Sequence, residues 1–162
     1  MSYYITTIGQ DSHRFLPETD NSSGIMLGGV LIPHNRAFDA NSDGDVLLHA
    51  ITNAVSGYTG INVLGGAADK LCLEQGIKDS SVFLAEALKD VSGARILHVS
   101  ATIECLRPKL MPHIPAMKEK IASLLGISSS SVGITATTGE GLTEFGKGEG
   151  VQVFVVMSWE VA

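Results

Sequence analysis

The chain has 162 residues, of which 44% are hydrophobic and only 17% charged, with a net charge of −6. That balance suits one core-forming domain over residues 1–162 and argues against disorder. An acidic chain with no dense Lys/Arg stretch argues equally against nucleic-acid binding.

Two cysteines, Cys72 and Cys105, make neither a disulfide framework nor a metal knuckle. Met1 to Ile5 lacks the basic segment and apolar core of a signal peptide, and no apolar run approaches the roughly 20 residues that span a bilayer. A cytoplasmic protein without a membrane partner is expected. The mean hydropathy of +0.24 is high for a small monomer and points to apolar surface buried between subunits.

Strands are expected at Tyr3 to Gly9 and Gly24 to Ile32, joined by a polar loop with Pro17, Asp20 and Asn21. Ser42 reads as an N-cap with Asp45 three residues on. Val46, Leu47, Ala50, Ile51 and Ala54 follow at helical spacing, and Gly57 reads as the stop. Residues 58–76 are Gly-rich and aperiodic, which predicts a flexible loop. A helix follows through Phe83, Leu84, Ala87, Leu88 and Val91 to Gly93. Ile96 to Cys105 is strand-like, Pro112 to Leu125 is helical with Ile114, Met117, Ile121 and Leu124 inward, and Val132 to Thr137 and Val151 to Trp159 are strands. This order predicts an α+β sandwich with helices packed on one face of a β-sheet, ferredoxin-like in part.

Two segments carry metal-binding chemistry. Asp11 and His13 follow a strand at i and i+2 and therefore point to one side. His49 lies on the polar side of its helix, away from the Val46, Ala50 and Ile51 stripe. Asp, His and His suit a catalytic zinc with an open position, although a DxH pattern is common by chance. A third segment, residues 136–150, holds Thr137, Thr138, Gly139 and Glu140 at a strand end and a run of glycines beyond. Freed backbone N–H groups there can cradle phosphate, and Glu140 can hold a divalent ion, though a plain Gly-rich hairpin fits the same residues.

Taken together, the segments resemble the 2-C-methyl-D-erythritol 2,4-cyclodiphosphate synthase family. Its GxDxHxF pattern stands at residues 9–15, GGxxIP at 28–33, HSDGDVxLHA at 41–50, PKxxPHIPxM at 108–117 and ATTTExxG…GxGEG at 136–150, in order along nearly the whole chain. The resemblance implies cyclisation of 4-diphosphocytidyl-2-C-methyl-D-erythritol 2-phosphate with release of CMP, in non-mevalonate isoprenoid biosynthesis. It implies Zn2+ on Asp11, His13 and His49 and Mg2+ or Mn2+ on Glu140. Thr138 and Asn41 fall at catalytic positions. Asp11, His13, Asn41, Ser42, Gly65, Thr137, Thr138, Gly139, Glu140 and Lys147 fall at substrate-binding positions, and Cys105, Leu106, Lys109, Leu110 and Met111 at the segment enclosing cytosine. A homotrimer with sites between subunits is implied as well.

Several positions depart from the family pattern. Asn41 replaces a histidine, Asn53 an aspartate, Gly139 a threonine, Gly141 a lysine and Lys147 an arginine. The GDIGxxFPDTD loop is rewritten at residues 61–70, where only Gly65 maps cleanly and Asp69 is a candidate hydroxyl acceptor. These changes keep two alternatives in view: a non-catalytic trimeric zinc protein binding nucleotides or isoprenoid diphosphates, and a zinc phosphohydrolase on another nucleotide-linked substrate. His34, His98 and His113 are read as turn, strand and helix-start residues without a ligand role.

Overall fold

The computed structural model describes residues 1–162. In chain order the elements are β1 (Tyr3–Arg14), β2 (Ile25–Leu27), β3 (Val30–Ile32), α1 (Val46–Thr59), α2 (Gly66–Gln75), α3 (Ser80–Lys89), β4 (Ala94–Glu104), α4 (Ile114–Leu125), β5 (Val132–Thr137) and β6 (Gly150–Val161). The main sheet runs β1-β6-β4-β5, and β2 and β3 form a separate hairpin. β4 and β5 are parallel, with α4 as the crossover between them, and the other pairs are antiparallel. The expected likeness to a ferredoxin fold is thus confined to its layers. The main-sheet order here is β-α-β-α-β-β, against the β-α-β-β-α-β of that unit.

Alternation along β6 decides which face is covered. Val151, Val153, Val155, Met157 and Trp159 are buried beneath the helices, whereas Phe154 and Val156 point the other way and are exposed. On β1 the covered side carries Gly9, Asp11 and His13, and the open side carries Tyr4 and Ile8. A side chain at Gly9 would overlap the Ala50 carbonyl and the Ala54 amide of α1. Glycine therefore lets α1 lie directly on β1, at the level where the next two covered-side residues are Asp11 and His13.

β1 runs on past Gly9 to Arg14 and so holds Asp11 and His13 within the strand, and four further features differ from expectation, each for a local reason. Gly24 to Ile32 is a hairpin, because Gly28 and Gly29 both take positive φ, 60° and 74°, as a tight two-residue turn requires. The N-cap of α1 is Asp45, whose side chain accepts the Leu48 N–H; Ser42 and Asp43 instead accept the N–H groups of Gly44 and Asp45 and fold the preceding residues into a turn. α1 also runs past Gly57 to a left-handed Gly60, since Tyr58 is anchored beyond it, stacked 4.7 Å from the Trp159 ring and donating to the Ser92 carbonyl. Within residues 58–76, expected to be a flexible loop, Gly66–Gln75 is helical and contributes Ala68 as its one buried residue.

Asp45 does more than cap. Its carboxylate accepts the Gly28 N–H at 2.8 Å, the Gly29 N–H at 2.6 Å and the Leu48 N–H at 3.0 Å, so one buried group fastens the hairpin turn to the start of α1. Burial lifts its pKa from 3.8 to about 6, opposed by those three N–H donors. The unfolded chain releases this proton nearer the ordinary value. The resulting stability is complete below about pH 4 and is lost as pH rises through about 6. Asp45→Asn should therefore flatten the decline of unfolding free energy between about pH 4 and 6 relative to wild type, measured by urea denaturation. Asp45→Ala, which strands the N–H groups, should cost about 3 kcal/mol.

Candidate metal and phosphate site

The covered side of β1 and the first turn of α1 bring Asp11, His13 and His49 together. His49 Nδ1 lies 3.0 Å from Asp11 Oδ2 and 3.2 Å from His13 Nε2, and His13 Nε2 lies 3.7 Å from Asp11 Oδ2. All three candidate ligand atoms fall within 4.8 Å of one another. His49 is buried, whereas Asp11 and His13 keep partial access to solvent. Burial lowers the His13 pKa, against the pull of Asp11, and favours the neutral ring that a metal requires. One carboxylate and two imidazoles are a donor set suited to a divalent ion such as zinc.

These residues form one wall of a cavity of about 250 Å³. Asn41, Ser42 and Gly65, named from the sequence, also line it. Leu64, Ala68, Asp69 and Cys72 close it from α2 and the residue pair before it. Most of that wall was hidden in the sequence because it falls in the stretch read as a loop. The candidate acceptor Asp69 is exposed and faces this cavity. Asn53 lines it too, but its amide donates to the Gln10 carbonyl at 3.1 Å and so joins α1 to β1.

The remaining sequence candidates lie elsewhere on the chain. Thr137 ends β5, where the Cys105 N–H donates to its carbonyl across the ends of β4 and β5, and Thr138, Gly139 and Glu140 follow it. None of them, nor Lys109, Leu110 or Met111, lines the cavity of the Asp–His–His cluster. Leu106 and Lys147 line a second cavity of about 430 Å³ with His34, Arg36 and Arg107. The Cys105 thiol is buried, donates to the Arg107 carbonyl at 3.0 Å and is pushed up to about 12, so it is no nucleophile. Lys147 pairs with Glu144 at the surface. His98 is exposed on β4, and His113 ends the turn that enters α4.

The matching segments now have a structure to set beside known proteins. A model of the YgbB family matches residues 4–160. The chain belongs to that family. It is 53% identical over 156 residues to the 2-C-methyl-D-erythritol 2,4-cyclodiphosphate synthase of Chlamydia muridarum, covering 96% of this chain and 87% of the relative. A solved 2C-methyl-D-erythritol-2,4-cyclodiphosphate synthase in its CDP-bound form superposes with a TM-score of 0.81 at 31% identity, covering 94% of this chain and 98% of that one. The bifunctional IspDF of Campylobacter jejuni superposes with a TM-score of 0.88 at 27% identity, and this chain spans 43% of its length.

The resemblance read from the sequence places threonine where this chain has Gly139, whose backbone disfavours a side chain. Gly139 has φ 75°, and a Cβ there would overlap the Glu104 carboxylate, which accepts the Thr143 hydroxyl. The next residue, Glu140, itself takes φ 51°, which is strained for a side-chain-bearing residue. Restoring threonine in Gly139→Thr should lower stability by about 2 kcal/mol. Adding Glu104→Ala should recover only the part due to overlap, leaving the backbone strain, as read by thermal melts of the single and double variants.

Proposed function

We propose that this chain cyclises 4-diphosphocytidyl-2-C-methyl-D-erythritol 2-phosphate to 2-C-methyl-D-erythritol 2,4-cyclodiphosphate, its 2-phosphate attacking the β-phosphorus as CMP leaves. The observation that carries the reading is the convergence of Asp11, His13 and His49 beside a cavity, in a chain of the YgbB family. Those three residues would hold Zn2+, and Glu140 would hold Mg2+ or Mn2+. When bound, such ions withdraw charge from phosphate oxygens and hold them in register.

The chain's own groups do the remaining work. Asn41 and Ser42 offer an amide and a hydroxyl at the cavity mouth, without the positive charge a histidine could bring. The Thr138 hydroxyl donates to a phosphate oxygen as charge builds there, with Thr137 and the Gly139 backbone beside it. Lys147 supplies a point charge. Cys105, Leu106, Lys109, Leu110 and Met111 present backbone groups to cytosine. Gly65 and Asp69, on the α2 side of the cavity, meet the sugar hydroxyls.

Because Thr138 and Glu140 do not line the Asp11 cavity within one chain, the complete site takes its two halves from neighbouring copies. An open sheet face supports such an assembly. Tyr4, Ile8, Phe154 and Val156 are exposed on it, and Ile8 and Val156 pair directly across β1 and β6. Four large apolar side chains on one uncovered face are a surface to be buried against like surfaces. We assign the homotrimer to this face. No helix is long and apolar enough to cross a membrane, and we place the enzyme in the cytoplasm.

Wild type supplied with the authentic substrate, zinc and magnesium should release CMP and the cyclic product in equal amounts, followed by chromatography. Thr138→Ala should lower kcat on the order of 10²-fold with little change in CDP affinity. CDP binding by wild type without any CMP release would overturn the synthase reading in favour of a nucleotide-binding scaffold; release of CMP with a linear phosphate product would favour a phosphohydrolase.

The assembly is tested separately. Phe154→Asp and Val156→Asp should each convert a sedimenting trimer into smaller species, because either buries a carboxylate among apolar groups. Unchanged sedimentation would remove this face from the interface.

A further inference from the structure

Behind His49, away from the cavity, is a group that neither the metal nor the phosphate reading uses. Ser80, the first residue of α3, is wholly buried. Its hydroxyl oxygen lies 2.8 Å from His49 Nε2, the ring nitrogen opposite the one that faces Asp11 and His13. The same hydroxyl meets the Asp43 carboxylate, and the Ser80 backbone N–H donates to that carboxylate at 3.1 Å. Asp43 is held in turn: it accepts the Asp45 N–H at 3.0 Å, and its own N–H donates to the Lys78 carbonyl at 2.8 Å.

Counting protons along this chain gives a direction. A carboxylate offers only acceptors, so the one Ser80 hydroxyl proton goes to Asp43. The Ser80 oxygen then presents lone pairs to His49 Nε2, and the contact closes only if Nε2 carries the ring proton. In a neutral imidazole the other nitrogen, Nδ1, is then bare. With the opposite tautomer, Nε2 and Asp43 would compete for a single hydroxyl proton, and the half-buried Asp43 would keep only the Asp45 and Ser80 N–H groups if Nε2 took it.

We propose that Ser80 is a positioning residue, which holds His49 in the Nε2–H tautomer and turns the Nδ1 lone pair toward Asp11 and His13. The inference rests on the metal-site reading for its purpose, but its geometry does not depend on it. Asp43 orients Ser80, and Ser80 orients the ligand; the bare Nδ1 then faces the Asp11 carboxylate at 3.0 Å, a contact between two acceptors that a cation held by both would relieve. Hydrogen-bond partners behind metal-ligating histidines act in this way, and removing one typically costs 10–100-fold in metal affinity.

The test reads the tautomer directly. Proton–nitrogen correlation NMR of the metal-free wild type should show the His49 ring proton on Nε2. Ser80→Ala removes a single oxygen from a buried site. It should shift His49 toward the Nδ1–H form, which can donate to Asp11, and should weaken Zn2+ or Co2+ binding 10–100-fold in chelator competition, with an altered Co2+ absorption spectrum. Nδ1–H in the wild type would overturn the proposal, and that measurement needs no variant to fold. An unchanged tautomer and unchanged affinity in Ser80→Ala would overturn it too. If wild type shows Nε2–H yet binds neither ion, the tautomer assignment stands and the metal reading fails.

Discussion

The Asp45 carboxylate is the constraint on which the rest of the structure depends. It sits at 0% exposure with three backbone N–H groups as its partners, two from the hairpin turn and one from the first turn of α1. Without it, the hairpin would have no polar tie to the helix start, and the helix would lose its cap. The position of α1 along β1 follows from that tie and from the missing side chain at Gly9. His49 lies one turn into α1, so the same two features set its distance from Asp11 and His13. Two electrostatic anchors, Asp45 and Asp43, thus stand on the loop that enters α1. One fastens the hairpin and the other fastens α3 through Ser80.

Residues close in sequence were the legible ones. Asp11 and His13 could be placed on one side because strand alternation is a local rule; His49 could be set apart from the Val46, Ala50 and Ile51 stripe by helical period, but its side of α1, read as polar, is buried as well. Strands β4, β5 and β6 and the helices α3 and α4 announced themselves through long apolar patterns that tertiary contacts then reinforced. β5 kept its bounds, and the others moved by one or two residues, since pairing with a neighbour, rather than propensity, decides where a strand stops.

Other features hid for physical reasons. Ser42-Asp43-Gly44-Asp45 reads as a helix start, but its short polar side chains satisfied nearby N–H groups first and made a turn. Gly57 reads as a stop, but a stacked Tyr58 pulled the helix past it. The α2 segment has little apolar stripe to see, because it buries only Ala68 and leaves Leu71 and Cys72 half-covered beside the core and the cavity. Ser80 is invisible to any spacing rule. It stands 31 residues from His49 and reaches it only because α3 docks against α1.

The α2 segment has one more property worth following. It is bounded by Gly65 and Gly76, both at positive φ, and Ala68 is the one residue it buries, with Leu71 and Cys72 packed partly against the core. Its outward positions can therefore change without much effect on the free energy of folding. The wall that carries Asp11, His13 and His49 has no such freedom, because these residues are embedded in the contact between β1 and α1. A cavity built in this way has one wall that selection must leave alone and another that it can rewrite. Residues on the second can change while those on the first stand still. The stretch around residues 61–70, where the family pattern is least recognisable in this chain, is where such change would accumulate.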